Sequence, residues 1–310
     1  MREKEIEMSL DYDAIIIGGS FAGLSAAIHI ARGRKSVCVI DTGKPRNRYA
    51  ESSHGFFSRD GAAAKSMIAI ARDQVHAYPS VTMVDGEAVE ARQIESGFEV
   101  RLSGDSFHRS KRLVLAFGIV DELPDIPGLR SQWGKTVLHC PYCHGYELAE
   151  KKLGVLRTGL MSAHQAQLIA EWGPTTYFLD GGPMPDGEIL ERLVRKKVRI
   201  VSERVSSLVG NDTTLSSVQL VGGRHVELDA LYLAPPSRLA SSIADGLGCK
   251  VRDGPFGPII ETDENRMTSV PGVYAAGDIA RAPHNATWAA SDGVTAGTAL
   301  HQSLVFSPAA

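Results

Sequence analysis

Short apolar runs, each the length of a strand, alternate along this chain with stretches whose apolar positions recur at helical spacing. Asp13-Ala14-Ile15-Ile16-Ile17 is the first: a strand whose apolar run, Ala14 to Ile17, is closed by glycine, the pattern of a strand buried on both faces. Gly18-Gly19-Ser20-Phe21-Ala22-Gly23 follows, then a helical run from Leu24 to Ala31, then a second strand from Val37 to Ile40 that ends in Asp41. The middle of the chain repeats this order, with a strand from Leu153 to Leu156, a turn, a helix from Ala163 to Glu171, a strand from Thr175 to Leu179, and Asp180. Near the end, Ser269 to Ala276 reads as a strand running into Gly277-Asp278, and a helix is predicted from about Ala286 to Leu300. Strands alternating with helices predict an α/β protein with parallel sheets. The longest apolar runs, Ala14 to Ile17 and Leu113 to Phe117, fall far short of a membrane span.

Composition narrows the class. With 310 residues, 43% hydrophobic and 22% charged, the chain can fill two cores, and intrinsic disorder is excluded. Thirty-three basic side chains against 36 acidic ones give a net charge of −3, which is no footprint for gripping a phosphate backbone. Neither a nucleic acid nor a membrane is therefore expected as partner. Met1 to Ile6 carries acidic residues and no apolar run, so it does not read as a signal peptide. Four cysteines are too few for a disulfide scaffold, and a cytoplasmic location is expected.

Two of those cysteines are set apart by spacing. Cys38 lies in an apolar strand pattern, and Cys249 reads as an incidental thiol in a loop. Cys140 and Cys143 form a Cys-x-x-Cys flanked by His139 and His144. The two-residue gap brings both sulfurs to bonding distance within one turn, where a thiol can be acidified. Three readings are open. Half of a zinc site would need a second ligand pair, and none follows at finger-like spacing. An inert disulfide sits poorly in a reducing compartment. A redox-active dithiol meets neither objection.

The first strand, turn, helix and second strand make up the dinucleotide-binding order: a tight turn, a helix start for a pyrophosphate, and an acid for a ribose hydroxyl. Ser20 stands at the second glycine of Gly-x-Gly-x-x-Gly, a small side chain that still lets the backbone approach phosphates. Gly277-Asp278 lies roughly 250 residues further on. If both ends serve one nucleotide, one domain is assembled from both ends of the chain and another is inserted between them. With these motifs the chain resembles the low-molecular-weight thioredoxin reductases, a family of FAD-dependent disulfide oxidoreductases, over nearly its whole length. Ala116-Phe117-Gly118 stands where that family often has Ala-Thr-Gly.

The resemblance implies two Rossmann-like, doubly wound domains: a discontinuous FAD domain over 1–119 and 245–310, and an inserted pyridine-nucleotide-like unit over 120–244 carrying the Cys-x-x-Cys. It places Gly18, Ser20, Phe21 and Gly23 at the FAD pyrophosphate, Asp41 at the adenosine ribose, and Glu87 and Ala88 at the adenine edge. Ala116, Gly118 and Gly277 would line the cofactor, and Asp278 would bond the ribityl chain. Asn47 and His54 fall where the family's loop reaches the flavin, and Asn285, Ala286 and Thr287 would open the last helix against it. Relatives of this kind are homodimers, which makes a homodimer the expectation.

The inserted unit departs from the NADPH-using pattern. Its turn is Arg157-Thr158-Gly159-Leu160-Met161-Ser162, with an arginine in place of the glycine that makes the tight turn. After its second strand comes Asp180-Gly181-Gly182-Pro183-Met184-Pro185, with no cation for a 2′-phosphate. Asp180 reads as a solvated strand end or as a partner for a ribose diol. Cys140 to Glu147 reads Cys-Pro-Tyr-Cys-His-Gly-Tyr-Glu, which resembles a branch of the family lacking the NADPH motif. That branch includes the dithiol oxidases of gliotoxin- and holomycin-type natural products. The expectation is an FAD-dependent dithiol oxidase acting on a small-molecule dithiol, or on a thioredoxin-like protein. On the family pattern Cys140 exchanges with substrate, Cys143 faces the flavin, and O₂ is the acceptor. His144, where the reductases carry an acid–base Asp, is expected to be the general base. The alternatives are an NAD(P)H-dependent or diflavin- or ferredoxin-linked disulfide reductase and a flavin redox sensor without turnover.

Overall fold

The first apolar run forms β1 (Tyr12–Ile17), and the glycine-rich turn leads into α1 (Phe21–Arg32), which starts three residues before the predicted Leu24. β2 (Val37–Asp41), α2 (Ala64–His76) and β3 (Val81–Asp85) follow, then β4 (Ala88–Ile94), β5 (Gly97–Leu102) and β6 (Phe107–Leu115). This computed structural model describes residues 11–306 apart from 212, so the amino-terminal stretch discounted as a signal peptide lies outside the described residues. In the first sheet β3, β2, β1 and β6 run parallel, and β5 and β4 continue antiparallel beyond β6.

Alternation along β1 explains its continuous apolarity. Ala14 and Ile16 join a core with Ala26, Ala27 and Ile30 of α1, while Ile15 and Ile17 join another with Cys38, Ile40, Phe98 and Val100. Both faces are covered from Ala14 to Ile17, so no position of that run is polar.

The chain leaves through β7 (Ile119–Asp121) and returns through β16 (Ser237–Leu239), which pair with each other. Between them come α3 (Leu129–Gln132), β8 (Val137–Leu138), α4 (Pro141–His144), β9 (Leu153–Leu156), α5 (Ser162–Ile169), β10 (Thr175–Phe178), α6 (Gly187–Arg195) and β11 (Arg199–Val201). β12 (Val205–Gly210), β13 (Leu215–Leu220) and β14 (His225–Glu227) form an antiparallel sheet, and β15 (Ala230–Tyr232) returns to the parallel one, of order β11-β10-β9-β15-β8. After the return come α7 (Ile243–Gly246), the hairpin of β17 (Val251–Gly254) and β18 (Gly257–Ile260), β19 (Val273–Ala275) and α8 (Ala286–Phe306).

β19 is shorter than predicted because Val270 to Val273 closes a turn, with the Val273 N–H on the Val270 carbonyl (3.1 Å) and Gly272 at φ +83°. It adds to the C-terminal half of β6, on the edge opposite β1, so the two ends of the chain share one sheet. α8 crosses α1 where neither can carry bulk: a Cβ on Gly293 would lie 2.1 Å from the Ala22 carbonyl oxygen.

The chain divides into two compact units, 1–46 with 65–120 and 238–310, and 47–64 with 121–237. Residues 47–64, assigned from the sequence to the FAD domain, group instead with the inserted unit. The reason is local: Gly134 packs on the backbone of Tyr49, and His54 pairs with Glu147.

Candidate active site

In the first unit the turn after β1 is tied to the strand ends around it. Gly18 adopts φ +111°, and a Cβ there would stand 2.2 Å from the Ala116 carbonyl oxygen, so only glycine fits. Its N–H donates to the Ile40 carbonyl (2.8 Å), and the Ala116 N–H donates to the Ile17 carbonyl (2.8 Å). Ser20 caps α1 by backbone alone, its carbonyl accepting the Leu24 N–H (2.9 Å). Phe21 and Gly23 occupy the first turn of the helix, and Gly118 follows Ala116 at φ +74°.

Asp41 closes the turn: Oδ1 accepts the Gly19 N–H at 3.0 Å, and Oδ2 meets Arg72 at 3.0 Å. Arg72 also holds Asp85 at 2.8 Å. A helix start flanked by small residues, with a carboxylate at the end of the next strand, fits a dinucleotide's pyrophosphate and ribose. Glu87 is exposed at the rim, and Ala88, buried, opens β4.

Gly277 and Asp278 follow β19 in the same unit, and Asp278 pairs with Arg46 at 3.1 Å. The Asn285 side chain is occupied locally, its Oδ1 accepting the Thr287 N–H at 2.8 Å and so capping α8 over Ala286 and Thr287. Further along α8, buried Asp292 holds Arg266 (2.6 Å) and Arg281 (3.3 Å), and burial pushes its carboxyl above the ordinary range despite both arginines. Arg72, Arg46 and Asp292 carried no local sequence signal, because each acts on a partner distant in the chain.

The cysteines lie in the second unit. Cys140 caps the single turn α4, Pro141 at its first position supplies the preset φ, and Cys140 and Cys143 are joined in a disulfide with their Cα atoms 5.3 Å apart. Gly145 lets the turn settle on Trp172, and Tyr142 meets the same ring edge-on at 5.8 Å while staying exposed. The Nδ1 of His139 lies 3.3 Å from the Leu233 carbonyl oxygen.

His144 is half-buried. Burial pushes its imidazole below the ordinary 6.5; the Glu147 carboxylate opposes that push and the His54 ring adds to it. Asn47 and His54, assigned from the sequence to the flavin end of the FAD domain, belong to this unit. Asn47 is half-buried in a short 3₁₀ turn, and His54 lies 3.4 Å from Glu147. The other two thiols are inert. Cys38 is fully buried, its thiol pushed up to about 12, and Cys249 lies in the loop between α7 and β17, as expected, but is buried there and donates a hydrogen bond to Thr268 Oγ1 (3.6 Å).

The second βαβ frame keeps its shape but has closed its turn. The Ser162 Oγ, fully buried, accepts the N–H groups of both Thr158 (2.9 Å) and Gly159 (3.2 Å), which in an open turn would face a phosphate. Arg157 spans the C-terminal ends of β9 and β10, and a Cβ on Gly182 would lie 2.4 Å from its Nη1. Asp180, at φ +52°, uses Oδ1 to accept the Val205 N–H (2.8 Å) and is not simply a solvated strand end. The expectation of no cation at this loop needs correcting. The fold brings Arg157 against Gly182 and Arg204 against Gly181, one from before β10 and one from after β11.

Known proteins give this geometry its context. The signature of the pyridine nucleotide-disulphide oxidoreductase family matches residues 12–293. Thioredoxin reductase tcpT of Claviceps purpurea is 32% identical over 280 residues, covering 86% of this chain and 86% of that protein. Thioredoxin reductase sirT of Leptosphaeria maculans is 27% identical over 308 residues, covering 94% and 93%. Among solved structures, an oxidoreductase from Agrobacterium tumefaciens superposes with a TM-score of 0.91 at 41% identity, covering 96% of this chain and all of that one. HlmI superposes with a TM-score of 0.89 at 35% identity, covering 94% and 92%. No helix among the described residues is long and apolar enough to cross a membrane.

Proposed function

Because this chain belongs to the pyridine nucleotide-disulphide oxidoreductase family, whose members are flavin-dependent disulfide oxidoreductases, we propose that it is an FAD-dependent dithiol oxidase that closes a disulfide in a small dithiol. The observation that carries this reading is the closed second frame. Ser162 already occupies the N–H groups of the central turn, and Arg157 lies across the strand ends where a nicotinamide dinucleotide would seat its phosphates. The reading therefore has electrons enter from thiols and not from NAD(P)H.

The Cys140–Cys143 disulfide is the oxidant that meets the substrate. A substrate thiolate attacks the Cys140 sulfur, forming a mixed disulfide while Cys143 leaves as thiolate. The second substrate thiol then displaces Cys140, closing the substrate's disulfide and leaving the enzyme with two cysteine thiols and the electron pair. His144, neutral near pH 7 because burial lowers its proton affinity, accepts a thiol proton. FAD, when bound, would supply the two-electron acceptor for the Cys140 and Cys143 thiols, with O₂ as the expected final acceptor. Gly18, Ser20, Phe21, Gly23 and Asp41 would hold its adenosine diphosphate part, with Glu87, Ala88, Ala116 and Gly118 around it. Gly277, Asp278 and the start of α8 at Asn285, Ala286 and Thr287 would hold the remainder.

The test is anaerobic. Dithiothreitol, NADPH and NADH are added separately to the purified yellow protein, flavin absorbance is followed, and oxygen is then admitted. Bleaching by the dithiol alone, with colour and oxygen uptake returning in air, is the expected result. Prompt bleaching by either nicotinamide, with none by dithiol, overturns the reading in favour of a reductase, the activity in the names of the two fungal relatives.

A further inference from the structure

The chain enters the disulfide turn from an edge strand. β8 stops at Leu138, whose carbonyl takes the Leu233 N–H just after β15 (2.9 Å), and Cys140 lies two residues on. The residue between them, His139, is tied twice. Its carbonyl accepts the side-chain N–H of Gln165 on α5 at 2.8 Å, and its ring Nδ1 lies 3.3 Å from the Leu233 carbonyl oxygen. A carbonyl can only accept, so the Gln165 atom that faces it must be Nε2.

Gln165 departs from what packing alone asks of that position. Ala163, Ala166 and Ile169 of α5 join an apolar core with Leu138 of β8 and Tyr232 of β15. Gln165 is buried as well, at 6% exposure, and its Oε1 has no hydrogen-bond partner among the described residues. A leucine or methionine of similar size would fill the same space without leaving an acceptor unpaired, which costs stability. What the amide adds there is the N–H that reaches His139.

We propose that Gln165 is a positioning residue for the Cys140–Cys143 disulfide, holding through the His139 carbonyl the backbone that carries Cys140. The inference deepens the dithiol-oxidation reading and rests on it, because that reaction opens and closes this bond once in each turnover. When the bond opens, the two thiols stay on one short turn, and how readily they rejoin depends on how closely the backbone keeps Cys140 to Cys143. Gln165 restrains the residue just before Cys140, so it raises the effective concentration of one sulfur at the other and favours the disulfide. A residue that only packed α5 against the sheet would stabilise the disulfide and dithiol forms alike and leave their balance unchanged.

The experiment equilibrates the flavin-loaded full chain under argon with reduced and oxidised glutathione. Two glutathione thiols give an electron pair to the Cys140–Cys143 bond and their protons to the two cysteine sulfurs, and become one glutathione disulfide. Free thiols are alkylated at each ratio and the peptide carrying Cys140 and Cys143 is read by mass spectrometry, for the unaltered protein, Gln165→Met and Gln167→Met. Gln167 lies on the same helix, but its Nε2 donates to the Ala163 carbonyl of that helix (3.0 Å). The equilibrium constant for forming the disulfide is expected to fall about fivefold in Gln165→Met, the scale of one lost hydrogen bond, and to hold in Gln167→Met. An unchanged constant in Gln165→Met, or an equal fall in both variants, overturns the proposal. Should Gln165→Met fail to fold, Gln165→Asn, one methylene too short to reach the carbonyl, takes its place with the same two outcomes. Bleaching of the unaltered protein by dithiothreitol is recorded alongside: its absence ends the dithiol-oxidation reading, while the glutathione balance still decides the role of Gln165.

Discussion

The same βαβ frame occurs twice in this chain, and the two copies have been put to different uses. From Gly18 to Asp41 and from Arg157 to Asp180 the spacing is identical, at 41 − 18 = 23 and 180 − 157 = 23 residues. In the first copy the acid at the strand end folds back on its own turn through the Gly19 N–H and is braced by Arg72. In the second the acid turns outward to the Val205 N–H, and a serine hydroxyl takes two N–H groups of the turn. A frame is therefore retained for packing even when its ligand-facing groups are spent internally. On the proposed reading, what separates a frame that takes a nucleotide from one that does not is whether the turn's N–H groups are already spent internally, not whether the strands are present.

The sharpest attempts to break this comparison delete one function from each unit. Gly18→Ala forces a Cβ into the Ala116 carbonyl at a φ that side chains avoid, and the protein is expected to purify without flavin and with lowered stability. Cys143→Ser is expected to keep its colour and lose dithiol-driven bleaching altogether, whereas Cys140→Ser leaves one thiolate and a long-wavelength charge-transfer band. Absorbance spectra of the purified variants check all three, and a yellow Gly18→Ala protein would show that the first copy is not the cofactor's.

Next in size is His144→Ala, expected to retain flavin and slow bleaching by about 10²-fold, the scale of a lost general base. Stopped-flow absorbance measures it, and an unchanged rate removes His144 from the reaction. The burial-lowered proton affinity of His144 adds a sign: in the unaltered protein the rate should hold as pH falls to 6.5 and decline only below it, where the imidazole gains its proton.

Smaller effects separate the two acids. Asp41→Ala is expected to weaken flavin retention about tenfold, visible on dialysis, whereas Asp180→Ala should leave flavin content unchanged and cost about 1 kcal/mol through the Val205 N–H. Ser162→Ala removes the acceptor of two part-buried N–H groups and should cost about 1 kcal/mol in urea unfolding, again without loss of flavin. Loss of flavin from either second-copy variant would mean that the two frames are not divided as described.

Legibility along the chain followed the range of the interactions. β9 has the predicted bounds, and β1 and β2 lie within a residue of theirs, because their apolar runs are strand-length and bounded by glycine and acid. The Cys140–Cys143 bond was legible because two residues of spacing dictate it. His54 groups with the second unit, not the first, since nothing local announces that Tyr49 meets Gly134 and His54 meets Glu147. Ser162 stood within the quoted turn, but only its full burial and its two donors reveal that it has closed that turn. Arg204 lay outside every motif and still reaches the loop after β10.

Taken alone, the order of residues determined that there are two nucleotide-type frames, that one turn is glycine-lined and the other is not, and that two thiols can bond. These are consequences of periodicity, glycine geometry and short spacing, all of which act within a few residues. Tertiary structure decided which carboxylates brace a turn, which histidine meets Glu147, and that two N–H groups of the central turn are taken from within. Those outcomes depend on which polar groups meet once the strands have paired, and hydrogen bonds and charges act across space with no regard for distance along the chain.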